Sequence, residues 1–453
     1  MPNDSWPRRL TTYASYAAVF LLVFIWSIPH TIALRYVLLC AVSLLALCTC
    51  PIDSSLRRAL PVPPLLAFGL FAAWLVTQAI FVSGETAWAL RELKSQYLPA
   101  LVACAIGILF GRHDVEARDG RGSALWTGIA LVFALQSAIA VGQSAWHWWQ
   151  HGELLRQIVP LTGGKLEMSY IINILLTILS VDLFCRISDG KTFLRLPLAG
   201  TLTCLAFGMG ASYLAGSRNG VIGIALLTFT AIALFLISAR TRLGTWKVAS
   251  ISAALVIAVS GFAIASYKAD PRWQVFAETA RIAIDIDKQQ AWYDPVTHPL
   301  PLLNCGKPVD ESAYLRIAWL AAGVRVAGEI PWGVGYGRNA FARALKQQHY
   351  DTRVGHSHSG FIDLLAGAGI PAVLLWLAFI GTLITTGWRA FSRLQSPDGL
   401  LLILLTAGYT GRMLIESVSR DHMLQIFFFL TGVLLPLALS SGKTSGVRGR
   451  EQA

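Results

Sequence analysis

Long apolar runs separated by short polar stretches dominate the chain from residue 13 to residue 439. A bilayer offers no water to hydrogen-bond peptide groups, so apolar runs of about 20 residues are expected to cross it as helices. The pattern predicts about twelve such spans. The first six run Tyr13 to Ile28, Thr31 to Cys50, Pro61 to Ser83, Gln96 to Phe110, Ser123 to Ala145 and Ser169 to Cys185. Six more run Pro197 to Leu214, Val221 to Ile237, Val248 to Ser266, Phe361 to Trp388, Leu400 to Leu414 and Met423 to Leu439. A basic flank precedes the first span, but no small-residue cleavage pattern follows it and a second apolar run starts almost at once. It therefore reads as a retained helix and not as a removed leader.

The one long break in this pattern, Tyr267 to Ser359, falls between the ninth and tenth spans. Its first part, Arg272 to Trp292, sets Trp273, Phe276, Ile282, Ile284 and Ile286 among charges and predicts an interfacial amphipathic helix. A proline-rich stretch, Pro295 to Pro308, interrupts it. A second helix is expected from Asp310 or Ser312 as cap through Tyr314, Leu315, Trp319, Leu320 and Val324, ending before Pro331. Glycines at every second position then mark Pro331-Trp-Gly-Val-Gly-Tyr-Gly337 as a place for tight turns and close backbone approach, and Phe341 to Gln348 reads as a further short helix. The predicted organisation is thus helices one to nine over 1–266, a loop carrying the site over 267–359, three more helices over 360–440 and a tail over 441–453.

Composition agrees with this fold class, an all-α integral membrane protein. Hydrophobic residues make up 55% of the 453 positions and charged residues 14%, too few solvating groups for a water-soluble protein of this length. The net charge of +12 prompts the question of nucleic acid. Most of the excess sits in alternate short loops, as at Arg57, Arg58, Arg112, Arg186, Lys191, Arg240, Arg242, Arg389 and Arg393. Positive residues stay on the cytoplasmic side during insertion, so both termini are placed in the cytoplasm and the long loop outside. No basic run with interleaved aromatics occurs, and nucleic-acid binding is rejected. The cysteines lie in or beside apolar spans except Cys305, so the long loop has no internal disulfide. The tryptophans between Trp146 and Trp149 read as headgroup anchors.

Several polar residues remain to be explained. Arg218, in Ala215-Gly-Ser-Arg-Asn-Gly220, sits in a turn too short to carry a guanidinium far from the membrane surface. It either snorkels to lipid headgroups or holds an anionic ligand. Arg316 lies among apolar neighbours on the second loop helix and either forms an internal salt bridge or faces a ligand. His356-Ser-His-Ser359 puts two imidazoles just before the tenth span, and histidine is the side chain matched to proton transfer near neutral pH. No accompanying Cys, Asp or Glu has the spacing of a zinc site. Asp363 can orient an imidazole or cap the helix, and Arg412 with Glu416, four apart, suits an ion pair on one helix face. Neither a paired-carboxylate set nor a nucleophile elbow is present. Arginines with one or two histidines suit a site that grips a phosphorylated substrate and deprotonates an acceptor.

The run His358-Ser359, nine residues, then Gly369-Ile-Pro-Ala372 resembles the signature of O-antigen ligases and their relatives: His, then Asn, Ser or Gln, nine variable residues, then Gly-x-x-Gly. Ala372 replaces the last glycine, a small-for-small departure. The wider layout is also similar, with Ser217-Arg218 in a short loop, Arg316 in the long loop and Pro331 to Gly337 as the glycine turn. The resemblance implies a GT-C-like glycosyltransferase that uses an undecaprenyl-diphosphate-linked glycan as donor, needs no metal or other cofactor, and attaches the glycan to lipid A-core on the periplasmic face of the inner membrane. It further implies His358 as general base, with His356 as the competing base, and Arg218 and Arg316 as diphosphate ligands. Arg91, Lys94 and Arg412 are further candidates for phosphate groups. An O-antigen polymerase or a protein O-oligosaccharyltransferase would use the same donor. Polymerases are expected to balance arginines across two large external loops, and protein-modifying relatives to carry a C-terminal extension, whereas here one loop is large and the tail is short. A polytopic transporter or lipid flippase would instead concentrate charge near the midplane, where Arg35 alone qualifies, and would show matching halves.

Overall fold

The computed structural model describes residues 6–49, 60–117, 122–157, 159–216, 224–225, 228–230, 232–234, 245–269 and 275–440. Among them the architecture is all-helical, with isolated bridges in place of strands. The membrane-type helices are α1 (Trp6–Trp26), α2 (Ile32–Thr49), α3 (Val62–Phe81), α4 (Thr86–Glu92), α5 (Leu98–Ala117), α6 (Ala124–His151), α7 (Lys165–Asp189), α8 (Leu198–Ala215) and α9 (Thr245–Ala269). Three short helices follow, α10 (Phe276–Ile284), α11 (Glu311–Glu329) and α12 (Ala340–Gln347), and then α13 (Gly360–Leu394), α14 (Pro397–Ile415) and α15 (Asp421–Ser440). A π-helical turn, Leu93–Tyr97, joins α4 to α5, so that one continuous run covers Thr86–Asp114.

Among the described residues eight helical runs are long and apolar enough to cross a membrane, and α1, α2 and α9 add shorter apolar stretches. The chain reads as a multi-pass membrane protein. The expected span Val221 to Ile237 and the expected tail lie mostly or wholly outside the described residues, and the other expected spans fall on helices.

Without a hydrophobic drive between helices in lipid, close packing depends on small residues. At α5 against α15 this is explicit. A Cβ on Gly107 would stand 2.2 Å from the Phe429 carbonyl oxygen, and one on Gly111 2.1 Å from that of Val433. Gly432 answers from α15, 2.3 Å from the Cys104 carbonyl oxygen by the same measure. Trp26 reaches across to donate to Gln425 at 2.9 Å, tying α1 to the same seam.

Two expectations need correction. The helix expected over Arg272 to Trp292 occupies only Phe276–Ile284 among the described residues. The polar run after Asp285 breaks the apolar period, and Trp292 is buried instead of interfacial, its indole donating to the Ile286 carbonyl at 2.9 Å. Arg35 is no midplane charge. It lies in the first turn of α2 and donates to Thr31 Oγ1 at 3.0 Å and to the Ile28 carbonyl at 2.6 Å, closing the turn from α1.

Residues 275–359 carry a small core of their own, in which Trp292, Tyr314, Trp319, Phe341, Leu345 and Val354 pack together and meet Ile362 and Ala366 of α13. Asp310 caps α11, accepting from the Ala313 amide at 2.7 Å. The segment is thus a folded element seated on α13.

Candidate functional site

The site is built around a break in α13. Pro371 has no N–H to give the Gly367 carbonyl, and Gly369 leaves the helical path with φ 78 and ψ −178. Carbonyl groups freed at this point need new donors. The glycine turn supplies them, with Val334 N–H donating to Ala366 at 3.0 Å and Gly335 N–H to Gly367 at 2.7 Å, while Ile370 N–H returns to Pro331 at 2.8 Å. From α3, Gln78 Nε2 donates to the Gly367 carbonyl at 3.1 Å and Trp74 Nε1 to that of Ala368 at 2.8 Å. The backbones approach so closely that a Cβ on Gly369 would meet the Pro331 oxygen at 2.4 Å, and one on Gly333 the Gly367 oxygen at 2.4 Å. The motif glycine is therefore required by geometry, and Ala372, fully buried one turn on, sits where a methyl group fits.

The histidine turn is held from the same helix. Ser357 N and Oγ both donate to Asp363 Oδ1, at 2.8 and 2.7 Å. Ser359 caps α13, accepting from the Ile362 amide at 3.5 Å, and donates to the Met413 carbonyl at 3.1 Å. Between them His358 takes a left-handed conformation, φ 56, that a non-glycine residue holds only when its surroundings fix it. The His356 and His358 rings lie 4.3 Å apart, and His358 stacks on Trp319 at 5.4 Å with an interplanar angle of 12°. Trp319 is itself fixed by donating to the Trp292 carbonyl at 2.7 Å.

Burial pushes both imidazoles down to about 4, assisted at His356 by Arg420 and Arg316 and at His358 by His356 and Arg316. Asp363 works the other way on His358. Both rings are thus uncharged at neutral pH and able to accept a proton.

His356 lines a small, partly open pocket with Gln96, Tyr336, Arg338, Asn339, Asp363 and Arg420. Tyr336 donates to the Ser419 carbonyl at 3.0 Å, and burial raises its phenol well above the usual range. Arg338 pairs with Asp421, and its amide donates to Glu92 at 2.9 Å. Among the described residues Arg420 has no carboxylate partner.

The structure brings Arg316 together with the two histidines, since its charge acts on both. Arg91 and Lys94 are exposed on α4 and the π turn, the element that gives Gln96 to the pocket. Arg412 lies elsewhere: it is 2% exposed, pairs with Glu416 at 3.0 Å and donates to Ser169 Oγ at 2.5 Å. Arg218 falls outside the described residues. Sequence reasoning missed Arg420, Arg338 and Gln96 as pocket residues. Arg420 belongs to no motif, and the one signal in the sequence is its place between two spans on the face that carries the histidines. Among the described residues no three His, Cys, Asp or Glu side chains converge as metal ligands.

Residues 203–377 match the family model described as O-antigen ligase, and the match supports membership of the O-antigen ligase/polymerase superfamily. The matched region contains Arg316, the glycine turn, the histidine turn and the α13 break. The match supports an activity of the O-antigen ligase/polymerase type. No curated protein matches the chain.

Proposed function

We propose that the protein is the ligase of this superfamily: it transfers O-antigen glycan from undecaprenyl diphosphate to lipid A-core at the periplasmic face of the inner membrane, with residues 267–359 as the periplasmic loop. The acceptor hydroxyl gives its proton to an imidazole while its oxygen bonds to the anomeric carbon. The bond from that carbon to the diphosphate breaks, and undecaprenyl diphosphate leaves with the electron pair. Guanidinium forks of Arg218 and Arg316 bind the phosphate oxygens and stabilise the charge that develops there, in place of a metal ion.

The observation that carries this reading is an uncharged imidazole pair lying within the field of Arg316 and Arg420 beside a pocket. An anionic donor bound there compensates the arginines and raises the basicity of the histidines, so proton abstraction is coupled to donor occupancy. His358 occupies the motif position and is the first choice as base. A second reading, with His356 as base, is favoured by one observation: His356 lines the pocket and His358 stands behind it on Trp319. The polymerase and protein-modifying readings share this chemistry and differ in acceptor.

Membranes carrying His358→Ala, His356→Ala, Arg218→Ala or Arg316→Ala are to be compared for glycan on lipid A-core against glycan left on undecaprenyl diphosphate. Each arginine change is expected to cost roughly 2–4 kcal/mol at the transition state, about 30- to 1,000-fold in rate. The histidine whose loss is more damaging is the base. Full ligation with His358, Arg218 and Arg316 all replaced overturns the mechanism.

A further inference from the structure

The pocket beside His356 has a wall that the mechanism above does not use. Gln96 belongs to the π-helical turn Leu93–Tyr97, an irregularity that inserts a residue into the helix and is frequent at functional sites. Its side chain is fully buried. Oε1 accepts from the Asp421 amide at 2.9 Å, which fixes the orientation of the carboxamide and leaves Nε2 as the free end. That Nε2 is buried, has no protein partner and belongs to a residue on the pocket wall. A buried donor left unpaired costs about 1–3 kcal/mol, so a ligand acceptor is the economical explanation of its retention.

Arg420 lies on the same wall, one residue from the amide that orients Gln96. Its guanidinium has no carboxylate partner among the described residues, whereas the neighbouring Arg338 is neutralised by Asp421 and Asp363 is engaged by Ser357. The donors offered to a ligand are a guanidinium and an amide N–H, the pairing suited to phosphate oxygens, while the carboxylate on the same lining, Asp363, is turned to its Ser357 donors.

We propose that Arg420 and Gln96 form a phosphate-binding subsite that holds the diphosphate of the lipid-linked donor in the pocket beside His356. The proposal rests on the transferase reading above and extends it to two residues outside the matched region 203–377. A diphosphate there lies against the ring of His356 and brings its negative charge to the group whose basicity the reaction needs. A phospholipid headgroup offers the same phosphate chemistry, so the two sources must be separated by experiment.

The full-length protein in phosphatidylcholine nanodiscs is titrated with inorganic pyrophosphate, binding being followed by phosphorus NMR and by thermal shift. Arg420→Gln is expected to weaken binding roughly 10- to 100-fold, the loss of one charge-assisted contact pair. Gln96→Glu keeps the acceptor for the Asp421 amide and turns the free donor into an acceptor, so it is expected to weaken binding by a similar factor with little change in unliganded melting. Arg420→Lys retains charge without the fork and falls between. Pyrophosphate binding unchanged in both Arg420→Gln and Gln96→Glu overturns the proposal, as does binding that vanishes in phosphatidylglycerol nanodiscs, which assigns the subsite to headgroups. If pyrophosphate binds as expected while no glycan is transferred to any acceptor, the transferase reading fails and the anion subsite stands.

Discussion

Replacing Gly369 with alanine tests the geometry on which the site is built. The residue occupies φ 78, ψ −178, a region essentially closed to side chains, and strain there is of order 1–3 kcal/mol. The new Cβ would also lie 2.4 Å from the Pro331 oxygen and 2.5 Å from Trp332, so the glycine turn must move away. Moving it loosens the bonds Val334 to Ala366, Gly335 to Gly367 and Ile370 to Pro331. At about 0.5–1.5 kcal/mol each, loss of two adds roughly 1–3 kcal/mol, for a total of roughly 2–6 kcal/mol. That is a large fraction of the ~5–15 kcal/mol that holds a typical protein folded. Ala372→Gly is the matched control, for it restores the family pattern and sits in regular helix, at a cost of about 1–2 kcal/mol from backbone freedom and a lost buried methyl. The assay is thermal unfolding in detergent, followed by tryptophan fluorescence, alongside glycan transfer in membranes. Gly369→Ala is expected to melt well below Ala372→Gly and to lose transfer. If Gly369→Ala melts with the wild type, or Ala372→Gly proves the more damaging, the account of the α13 break is wrong.

The pH dependence follows from the sign of the histidine shifts. The folded values of His356 and His358, about 4, lie below the unfolded value near 6.5, so the unfolded chain binds more protons between those limits. The stability associated with the uncharged pair is fully present above about pH 6.5 and is lost as pH falls toward about 4. The acid limb of kcat/KM is expected well below pH 6.5 in the wild type, and a limb that stays near 6.5 refutes the shift. Arg412→Met leaves Glu416 buried without its partner and is expected to cost about 3–5 kcal/mol in thermal unfolding, most of it recovered in Arg412→Met with Glu416→Leu. Normal melting of the single variant with lost transfer would instead place Arg412 on a substrate.

Helices in this chain were legible because lipid removes alternatives: an apolar run in a bilayer has to satisfy its own peptide groups, and α3, α6, α7, α13, α14 and α15 follow directly. The π turn before α5 was not legible, since one inserted residue leaves the apolar pattern unchanged while rotating Gln96 onto the pocket wall. His356, His358 and Arg316 stood out by residue type in an apolar setting. Arg420 did not, because a loop arginine looks the same whether it meets water, lipid or a neighbour 64 positions back in sequence, as His356 is. The glycine turn was recognised as tight, but its partner, the interrupted start of α13, became apparent only when Val334, Gly335 and Ile370 were seen to exchange hydrogen bonds.

That exchange also has a bearing on how such proteins diversify. The backbone of 331–337 is stitched to a membrane helix by main-chain atoms that mutation cannot alter, and the histidine turn is held to the first turn of the same helix by the Asp363 side chain. Among the described residues the proline-rich stretch 295–308 has no such main-chain hydrogen bond to α13. Insertions or exchanges of sequence there would leave the glycine and histidine turns in register with α13.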